Sequence, residues 1–369
     1  MSHSSTIEGV KSWDVIVVGG GIIGLSLALA LRKRGLTILI VERGQPAHEA
    51  SYAAAGMLAN CGSETPAALR QLAKASAAMY PEFVHELQDE SGVRIDLRSE
   101  GTILFSSPES QPHMYDDRVE GETLSLEELR QLEPELEAGQ YTAMFLKEKS
   151  VDPRMLGAAA LKAVKHRGID VASGSSGRSV LVSDGRAVGI STEKTSYFGG
   201  IVVNCAGAWA GQLGPLQFPT RPVKGQMLSV IGAPHGCLRH VLRSPVVYLV
   251  PRSDGRILIG ATVEEAGYDK RTVPETIQTM HQVAIRALPA LQRARIHEDW
   301  AGLRPGTPDD LPILGATLLP GYFVAAGHFR DGILLAPITA QVMSKLISGS
   351  APSYDLSAFS PSRFSCEEA

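Results

Sequence analysis

The sequence predicts a mixed α/β fold in which a parallel βαβ layer is interleaved with an antiparallel α+β region. Three observations carry this expectation. Asp14-Val-Ile-Val-Val18 is a continuous apolar, β-branched run, the pattern of a parallel strand buried on both faces. A glycine cluster, an apolar segment of helical length and a second apolar run follow it directly. Beyond residue 222, short apolar runs follow one another, two of them joined by an Asp-Gly turn signal, which marks antiparallel pairing.

The elements follow in order. Residues 1–12 are polar and expected to be loose. Ile22 to Arg34 reads as a helix stopped by Gly35, and Leu36 to Val41 as the second strand. Residues 65–90 read as helical, with a break expected at Pro81 because proline lacks the N–H that continues a helix. Arg94 to Ser106 alternates like a strand pair. Ser125 and Glu128 form a capping box ahead of Leu129. Asp152 as N-cap and Pro153 at N1 open a helix that runs to Arg167, with Gly168 beyond its end. Ser179–Ser183, Val188–Ser191 and Ile201–Asn204 read as strands, the first two joined by Asp184-Gly185. Pro222–Ile231, Val246–Pro251 and Ile257–Thr262 also read as strands, the last two joined by Asp254-Gly255. A helix covers Pro274 to Leu288 and stops at Pro289. Tyr322–Ala326 is the last strand, leading through a glycine-rich turn into a helix over Ala336–Ser348.

Composition limits the function classes. The 369 residues are 44% hydrophobic and 20% charged, with a formal net charge of −4, which gives no reason to expect a nucleic-acid or anionic-membrane partner. Arg32-Lys33-Arg34 ends a helix and complements its negative pole. Cys61, Cys205, Cys237 and Cys366 match no metal-ligand spacing and no CxxC pair, so no metal site is expected and the thiols are read as free in a reducing cytoplasm. Val15 to Leu31 carries no charge, but glycines 19, 20, 21 and 24 interrupt it and no basic flank precedes it; it is read as core, not as a membrane span.

Gly19-Gly20-Gly21-Ile22-Ile23-Gly24 matches GxGxxG between strand and helix. Gly19 permits the tight turn, Gly21 lets a pyrophosphate approach the backbone, and Gly24 allows close helix–strand packing. The helix start, with Ile22 and Ile23, presents free N–H groups to phosphate. Glu42 follows the second strand, where a carboxylate accepts hydrogen bonds from an adenosine ribose. Arg43 beside it is read as solvated. This is a Rossmann-like dinucleotide site, and it does not by itself separate FAD from NAD.

Other segments do. The loop Ser51-Tyr-Ala-Ala-Ala-Gly-Met57 resembles the D-amino-acid oxidase family of flavoproteins, which includes sarcosine and glycine oxidases. Val202-Val-Asn-Cys-Ala-Gly-Ala-Trp209, Trp300-Ala-Gly-Leu-Arg304-Pro and Ala325-Ala-Gly-His-Phe-Arg330-Asp-Gly-Ile-Leu-Leu335 extend the resemblance over nearly the whole chain. Pro222-Val-Lys-Gly-Gln226 and Tyr248-Leu-Val-Pro-Arg252 are most similar to the glycine oxidases of bacterial thiamine biosynthesis.

The resemblance implies an FAD-binding Rossmann-like domain with an interleaved antiparallel α+β substrate domain. Residues 1–92, 150–221 and 298–369 are expected in the first, and 93–149 and 222–297 in the second. It implies cofactor contacts at Gly19, Gly21, Ile22, Ile23, Gly24, Glu42, Arg43, Ala50, Ser51, Ala55, Gly56, Met57, Val180, Gly207, His328, Phe329, Arg330, Asp331, Gly332, Ile333 and Leu334. Substrate would meet Arg304, Tyr248, Arg330 and Met57, with Arg304 clamping its carboxylate and Tyr248 donating a second hydrogen bond. Residues 238–365 contain no cysteine, so FAD is expected to be non-covalent, unlike the covalent flavin of sarcosine oxidases.

The implied reaction is oxidative deamination of a small amino acid. Hydride leaves Cα for flavin N5, the imine hydrolyses to an oxo acid and ammonia or amine, and oxygen reoxidises the flavin to give hydrogen peroxide. No side-chain base at Cα is needed. The resemblance also implies a homo-oligomer, tetrameric in relatives, and a part in making the thiamine thiazole. Sarcosine oxidase, D-amino-acid oxidase or dehydrogenase, and a protein using FAD only structurally remain alternatives.

Overall fold

Val15 to Val18, the four consecutive β-branched residues that end β1 (Ser12–Val18), are all buried. Such a strand must lie inside a sheet covered on both faces. It pairs in parallel with β2 (Ile38–Glu42) on one side and β12 (Ser196–Asn204) on the other, and α1 (Ile22–Arg32) makes the crossover between β1 and β2. The computed structural model describes residues 11–62, 65–107 and 120–364. Of the stretch 1–12 expected to be loose, residues 1–10 lie outside the described residues, as does the tail cysteine Cys366, while Ser12 already belongs to β1.

The first sheet has eight strands among the described residues. β9 (Asp170–Ser173) continues it beyond β2. The first half of β12 carries the antiparallel hairpin β11 (Arg186–Thr192) and β10 (Gly177–Ser183). Its second half carries β19 (Tyr322–Ala326) in parallel, edged by β18 (Ile313–Ala316). Asp184 and Gly185 turn the hairpin with positive φ values of 49° and 70°, as their residue types favour. One core covers the sheet with α1, α3 (Arg70–Ser91), α5 (Pro153–His166) and α7 (Ala336–Ile347). The Asp152 carboxylate caps α5 by accepting from the Arg154 and Met155 amides at 2.9 and 3.2 Å.

The second sheet runs β17 (Arg295–Gly306), β13 (Arg221–Ile231), β16 (Ile257–Gly260), β15 (Tyr248–Pro251), β14 (Val241–Arg243), β5 (Thr102–Ser106), β7 (Thr142–Leu146), β6 (Gly121–Leu124). Its neighbours are antiparallel except β14 and β5, which pair in parallel. Leu129 of α4 (Leu126–Leu132) and Ile277, Met280 and Ala284 of α6 (Pro274–Ala287) pack on one face with Leu228, Leu249 and Ile259. Ser125 and Glu128 make the expected capping box on α4. A third sheet of β3 (Met57–Leu58), β8 (Lys149–Val151) and β4 (Leu97–Arg98) ties the loop that follows the four-residue α2 (Ala50–Ala53) to the rest.

Two expectations are corrected. α3 passes through Pro81 without a break. The missing hydrogen bond costs ~3 kcal/mol, but Leu72, Ala77, Tyr80, Val84 and Leu87 are buried along the helix, each large side chain contributing ~1.5–3 kcal/mol. The Tyr80 hydroxyl also donates to the Ile333 carbonyl, and Ser76 Oγ donates to that of Leu334 at 2.6 Å. The two strands expected over 94–106 form, as β4 and β5, but in different sheets rather than with each other. A strand not expected from the sequence, β17, runs to Gly306 beside β13 over its whole length. The charged start of β17 hides its strand character in sequence, and the buried partner β13 supplies it.

Candidate active site

Between the two sheets lies a cavity of about 850 Å³. Its first end is built by the glycine turn. Gly19 has φ +113°, and a Cβ there would sit 2.3 Å from the Cys205 carbonyl oxygen; a Cβ on Gly24 would sit 2.0 Å from that of Gly19. Glycine at both places lets α1 start hard against β1 and β12. Gly24 therefore serves packing and does not line the cavity, while Gly19, Gly21, Ile22 and Ile23 do. The N-cap residue Gly21 supplies no side-chain cap; instead Ser51 Oγ accepts the Ile22 amide at 3.0 Å.

Glu42 is buried at the end of β2. Its two oxygens accept the Gly20 and Gly44 amides, each at 2.7 Å. This fixes the carboxylate at the cavity wall with further lone pairs open to a ribose. Gly207 has φ +56°, and nothing lies within 4 Å of a Cβ placed on it, so backbone faces open cavity there. Arg43 is not simply solvated. Its guanidinium stacks 3.5 Å from the centre of the Trp209 ring and pairs with Glu49 at 2.9 Å. Trp209 in turn stacks on Tyr268, with ring centres 5.3 Å apart, and Lys270 reaches Glu49 at 3.1 Å. A loop of the second sheet thus closes over this end.

The middle of the cavity is lined by Ala50, Ser51, Ala55, Gly56 and Met57. Gly56, with φ +74°, is required by the fold, since a Cβ would meet the Val151 carbonyl oxygen at 1.9 Å. The buried Arg252 guanidinium donates to the Ala55 carbonyl and holds this loop. Arg154 lies over the Tyr52 and Trp300 rings at 4.1 and 4.6 Å and pairs with Glu298 at 2.6 Å.

The far end belongs to β17. Alternate residues of a strand share a face, so Trp300, Gly302 and Arg304 point the same way. Trp300 Nε1 donates to the Ala53 carbonyl at 3.0 Å, Gly302 abuts Ala53, and Arg304 enters the cavity. Arg304 Nη1 donates to the carbonyls of Thr262 at 3.1 Å and Lys224 at 3.4 Å. Burial lowers its pKa from the usual guanidinium value; Tyr248 opposes this and Arg330 adds to it, and no carboxylate among the described residues acts on it. It stays cationic. Tyr248, on β15, is pushed up by burial, with Arg304 and Arg330 pulling the other way, so it remains a protonated donor at neutral pH. Met57, Met227 and Ala261 pack around Tyr248 in an apolar cluster.

After β19 the chain passes His328, Phe329, Arg330, Asp331, Gly332 and Ile333 along the cavity. His328 is buried, its pKa lowered to about 3 by desolvation, and Nε2 lies 3.1 Å from Thr339 Oγ1. It is uncharged at neutral pH. Phe329 takes φ +45°, its amide donating to the Pro305 carbonyl at 3.0 Å.

Besides Gly24, two more of the expected cofactor residues do not line the cavity. Val180 is in the core beside Ile190 and Leu213, with its amide donating to Gly214, because its place on β10 turns it inward; Ser176, Gly177 and Arg178 line the cavity instead. Leu334 points into the helical core and only its carbonyl is engaged, by Ser76. Sequence reasoning missed Trp209, Gly225, Met227, Val246 and Val263 as lining residues. For Trp209 the signal was present, next to Gly207; the others depend on strand register. No cluster able to hold a metal occurs among the described residues, and no helix among them is long and apolar enough to cross a membrane.

A glycine-lined cradle at a helix start, a fixed buried carboxylate and an elongated cavity leading to a cation fit a flavin dinucleotide. Comparison with known proteins agrees. The family described as "DAO: FAD dependent oxidoreductase" matches residues 14–346. The chain is 36% identical over 361 residues to the bifunctional protein ThiO/ThiG of Trichormus variabilis, covering 95% of this chain but only 55% of that protein's length. It is 32% identical over 359 residues to a glycine oxidase of Pseudomonas aeruginosa, covering 94% of this chain and 98% of the relative. The crystal structure of glycine oxidase from Geobacillus kaustophilus superposes with a TM-score of 0.92 at 31% identity, covering 96% of this chain and all of the other. The chain belongs to the DAO family of FAD-dependent oxidoreductases.

Proposed function

We propose that this chain oxidises glycine and other small amino acids, such as sarcosine and small D-amino acids, to the oxo acid, ammonia or amine, and hydrogen peroxide. The observation that carries the reading is Arg304. It is a cavity-facing cation seated on two backbone carbonyls, with no acid among the described residues acting on it and with Tyr248 alongside. A guanidinium so placed holds a carboxylate by paired hydrogen bonds, and its fixed position avoids reorganisation on binding. Relatives named glycine oxidase and ThiO/ThiG support the same chemistry and a place in thiamine thiazole synthesis.

Non-covalent FAD, when bound, supplies the two-electron acceptor. Gly19, Gly21, Ile22, Ile23, Glu42, Ser51 and Gly207 would hold its nucleotide part, and the segment His328–Ile333 would border the ring. The chain's own residues orient and desolvate. Arg304 and Tyr248 fix the substrate carboxylate, Met57, Met227 and Ala261 exclude water, and Arg330 borders the entrance. The neutral His328 neither gives nor takes a proton. The division into a discontinuous nucleotide part and a substrate part, with β17 moved to the latter, belongs to the same proposal. So do homo-oligomeric assembly, testable by light scattering, and a cytoplasmic location.

The deciding experiment is anaerobic mixing of the yellow holoprotein with glycine, sarcosine, D-alanine and D-proline, followed by oxygen. Bleaching by these amines and reoxidation with peroxide release are expected. Bleaching followed by reoxidation only with artificial acceptors would make it a dehydrogenase. Flavin that no amine bleaches would overturn the reading.

A further inference from the structure

The two carbonyls that seat Arg304, those of Thr262 and Lys224, belong to different segments of the chain: the loop after β16 and the strand β13. One side chain ties the two segments together. The Glu264 carboxylate accepts from the Thr262 hydroxyl, accepts from Gln226 Nε2 at 2.8 Å and lies 3.7 Å from the Lys224 ammonium. The Thr262 hydroxyl in turn accepts the Gln226 amide at 2.8 Å. The backbone amides of Lys224 and Glu264 donate to each other's carbonyls, both at 2.9 Å, so the Lys224 carbonyl serves Glu264 and Arg304 at once.

This cluster lies behind the cavity, not in it. Alternate residues of a strand face opposite sides. On β13, Gly225 and Met227 line the cavity, while Lys224 and Gln226 are buried and do not; neither do Thr262 and Glu264. Buried polar side chains cost free energy unless they are partnered. Gln226 meets that demand by giving Nε2 to Glu264 and taking the Val273 amide on Oε1 at 2.6 Å. Burial raises the Glu264 carboxyl, but the Thr262 hydroxyl, the Gln226 amide and Lys224 outweigh it and hold it below its ordinary value. Glu264 is therefore an ionised, fixed acceptor at neutral pH.

We propose that Glu264 is a positioning residue: through the Thr262 hydroxyl and Lys224 it fixes both carbonyls on which Arg304 sits, and so sets where the guanidinium meets a substrate carboxylate. This rests on the amine-oxidase reading above and adds the side chains that hold its anchor. A guanidinium grips both carboxylate oxygens only in one plane. Slack in either carbonyl therefore weakens carboxylate binding, although neither Glu264 nor Thr262 touches the substrate.

The test uses the FAD-loaded protein as wild type, Thr262→Val, Thr262→Ser and Glu264→Gln, with flavin content and melting temperature as controls. Thr262→Val keeps the side chain's size and loses the hydroxyl, Thr262→Ser keeps the hydroxyl, and Glu264→Gln keeps the length and loses the charge. Anaerobic stopped-flow flavin reduction against glycine concentration separates half-saturation from the limiting rate. Titration of the oxidised protein with acetate, read by flavin absorbance, reports carboxylate binding without turnover. Thr262→Val and Glu264→Gln should weaken glycine half-saturation and acetate binding together, about three- to tenfold, with the limiting rate within about twofold of wild type. Thr262→Ser should stay within about twofold of wild type in all three readings. Unchanged binding in both Thr262→Val and Glu264→Gln would overturn the proposal, as would a serine variant no better than the valine one or a loss confined to the limiting rate. Should Thr262→Val not retain flavin, Glu264→Gln decides on the same readings. Wild-type flavin reduced by no amine would overturn the amine-oxidase reading, and the acetate titration would then decide the role of Glu264 by itself.

Discussion

The Arg304 guanidinium occupies the space that a side chain on Gly225 would need: a Cβ on Gly225 would lie 2.4 Å from both terminal nitrogens. The seat of the cavity's cation is thus a missing methyl group on β13. Gly225→Ala should displace the guanidinium while leaving the strand in place, since the backbone at 225 is paired normally with Gly302. We expect flavin content to be kept and apparent glycine affinity to fall at least ~10-fold, the loss of about one charged hydrogen bond. Steady-state kinetics of the purified variant check this; an unchanged KM removes Gly225 from the seat.

Removing the cation itself should cost more. Arg304→Ala leaves a substrate carboxylate unpaired in a partly dry cavity, a loss of ~3–5 kcal/mol, or roughly two to four decades in glycine affinity. Arg304→Lys should recover part of it, because an ammonium lacks the planar fork. An amine without a carboxylate should be nearly indifferent to either change. Near-normal saturation of Arg304→Ala with glycine would move the carboxylate to Arg330.

At the other end, Glu42 accepts two backbone amides and faces the cavity. Glu42→Ala should lose charged hydrogen bonds to the cofactor worth ~1.5–3 kcal/mol each. Flavin fluorescence during dilution should show FAD leaving at least ~10-fold more readily than from wild type. Equal dissociation constants would deny Glu42 its role.

The stack of Arg43, Trp209 and Tyr268 over the same end predicts a second determinant of cofactor retention. Tyr268→Ala removes an aromatic pair worth ~0.5–1.5 kcal/mol and should speed FAD release about two- to tenfold. Lys270→Ala, which removes only an exposed ion pair with Glu49, should change it less. Flavin release that is faster in the lysine variant than in the tyrosine variant would reverse this ranking.

Stability should depend on pH through His328. Its folded pKa is lowered from 6.5 to about 3 by burial. Below about pH 6.5 the unfolded chain takes up a proton that the folded chain refuses, so stability is intact above that value. It falls as pH drops toward the folded pKa, by up to about 1.4 kcal/mol per pH unit. His328→Gln should flatten the fall in melting temperature between about pH 6.5 and about pH 5 by one proton's worth. Parallel curves for the two proteins would count against it.

The sequence by itself determined the βαβ cradle, the caps of α4 and α5, the Asp-Gly turns and the family. Each depends on residues a few positions apart: β-branched runs choose extended backbone, Asp152 and Ser125 reach their own helix amides, and Gly24 answers a contact with the nearby Gly19 carbonyl. Tertiary structure alone decided the rest. β17 became a strand because buried β13 lay beside it, despite its charged start. α3 ran through Pro81 because core burial outweighed one lost hydrogen bond. Val180 turned inward and Ser176–Arg178 took its place at the cavity by the register of β10. The Arg304 seat joins Gly225, Thr262 and Lys224 from distant parts of the chain. Hydrogen bonding and capping act over one turn of backbone and can be read locally. Register, burial and the facing of a side chain are set by partners far away in sequence, whose identity no local pattern records.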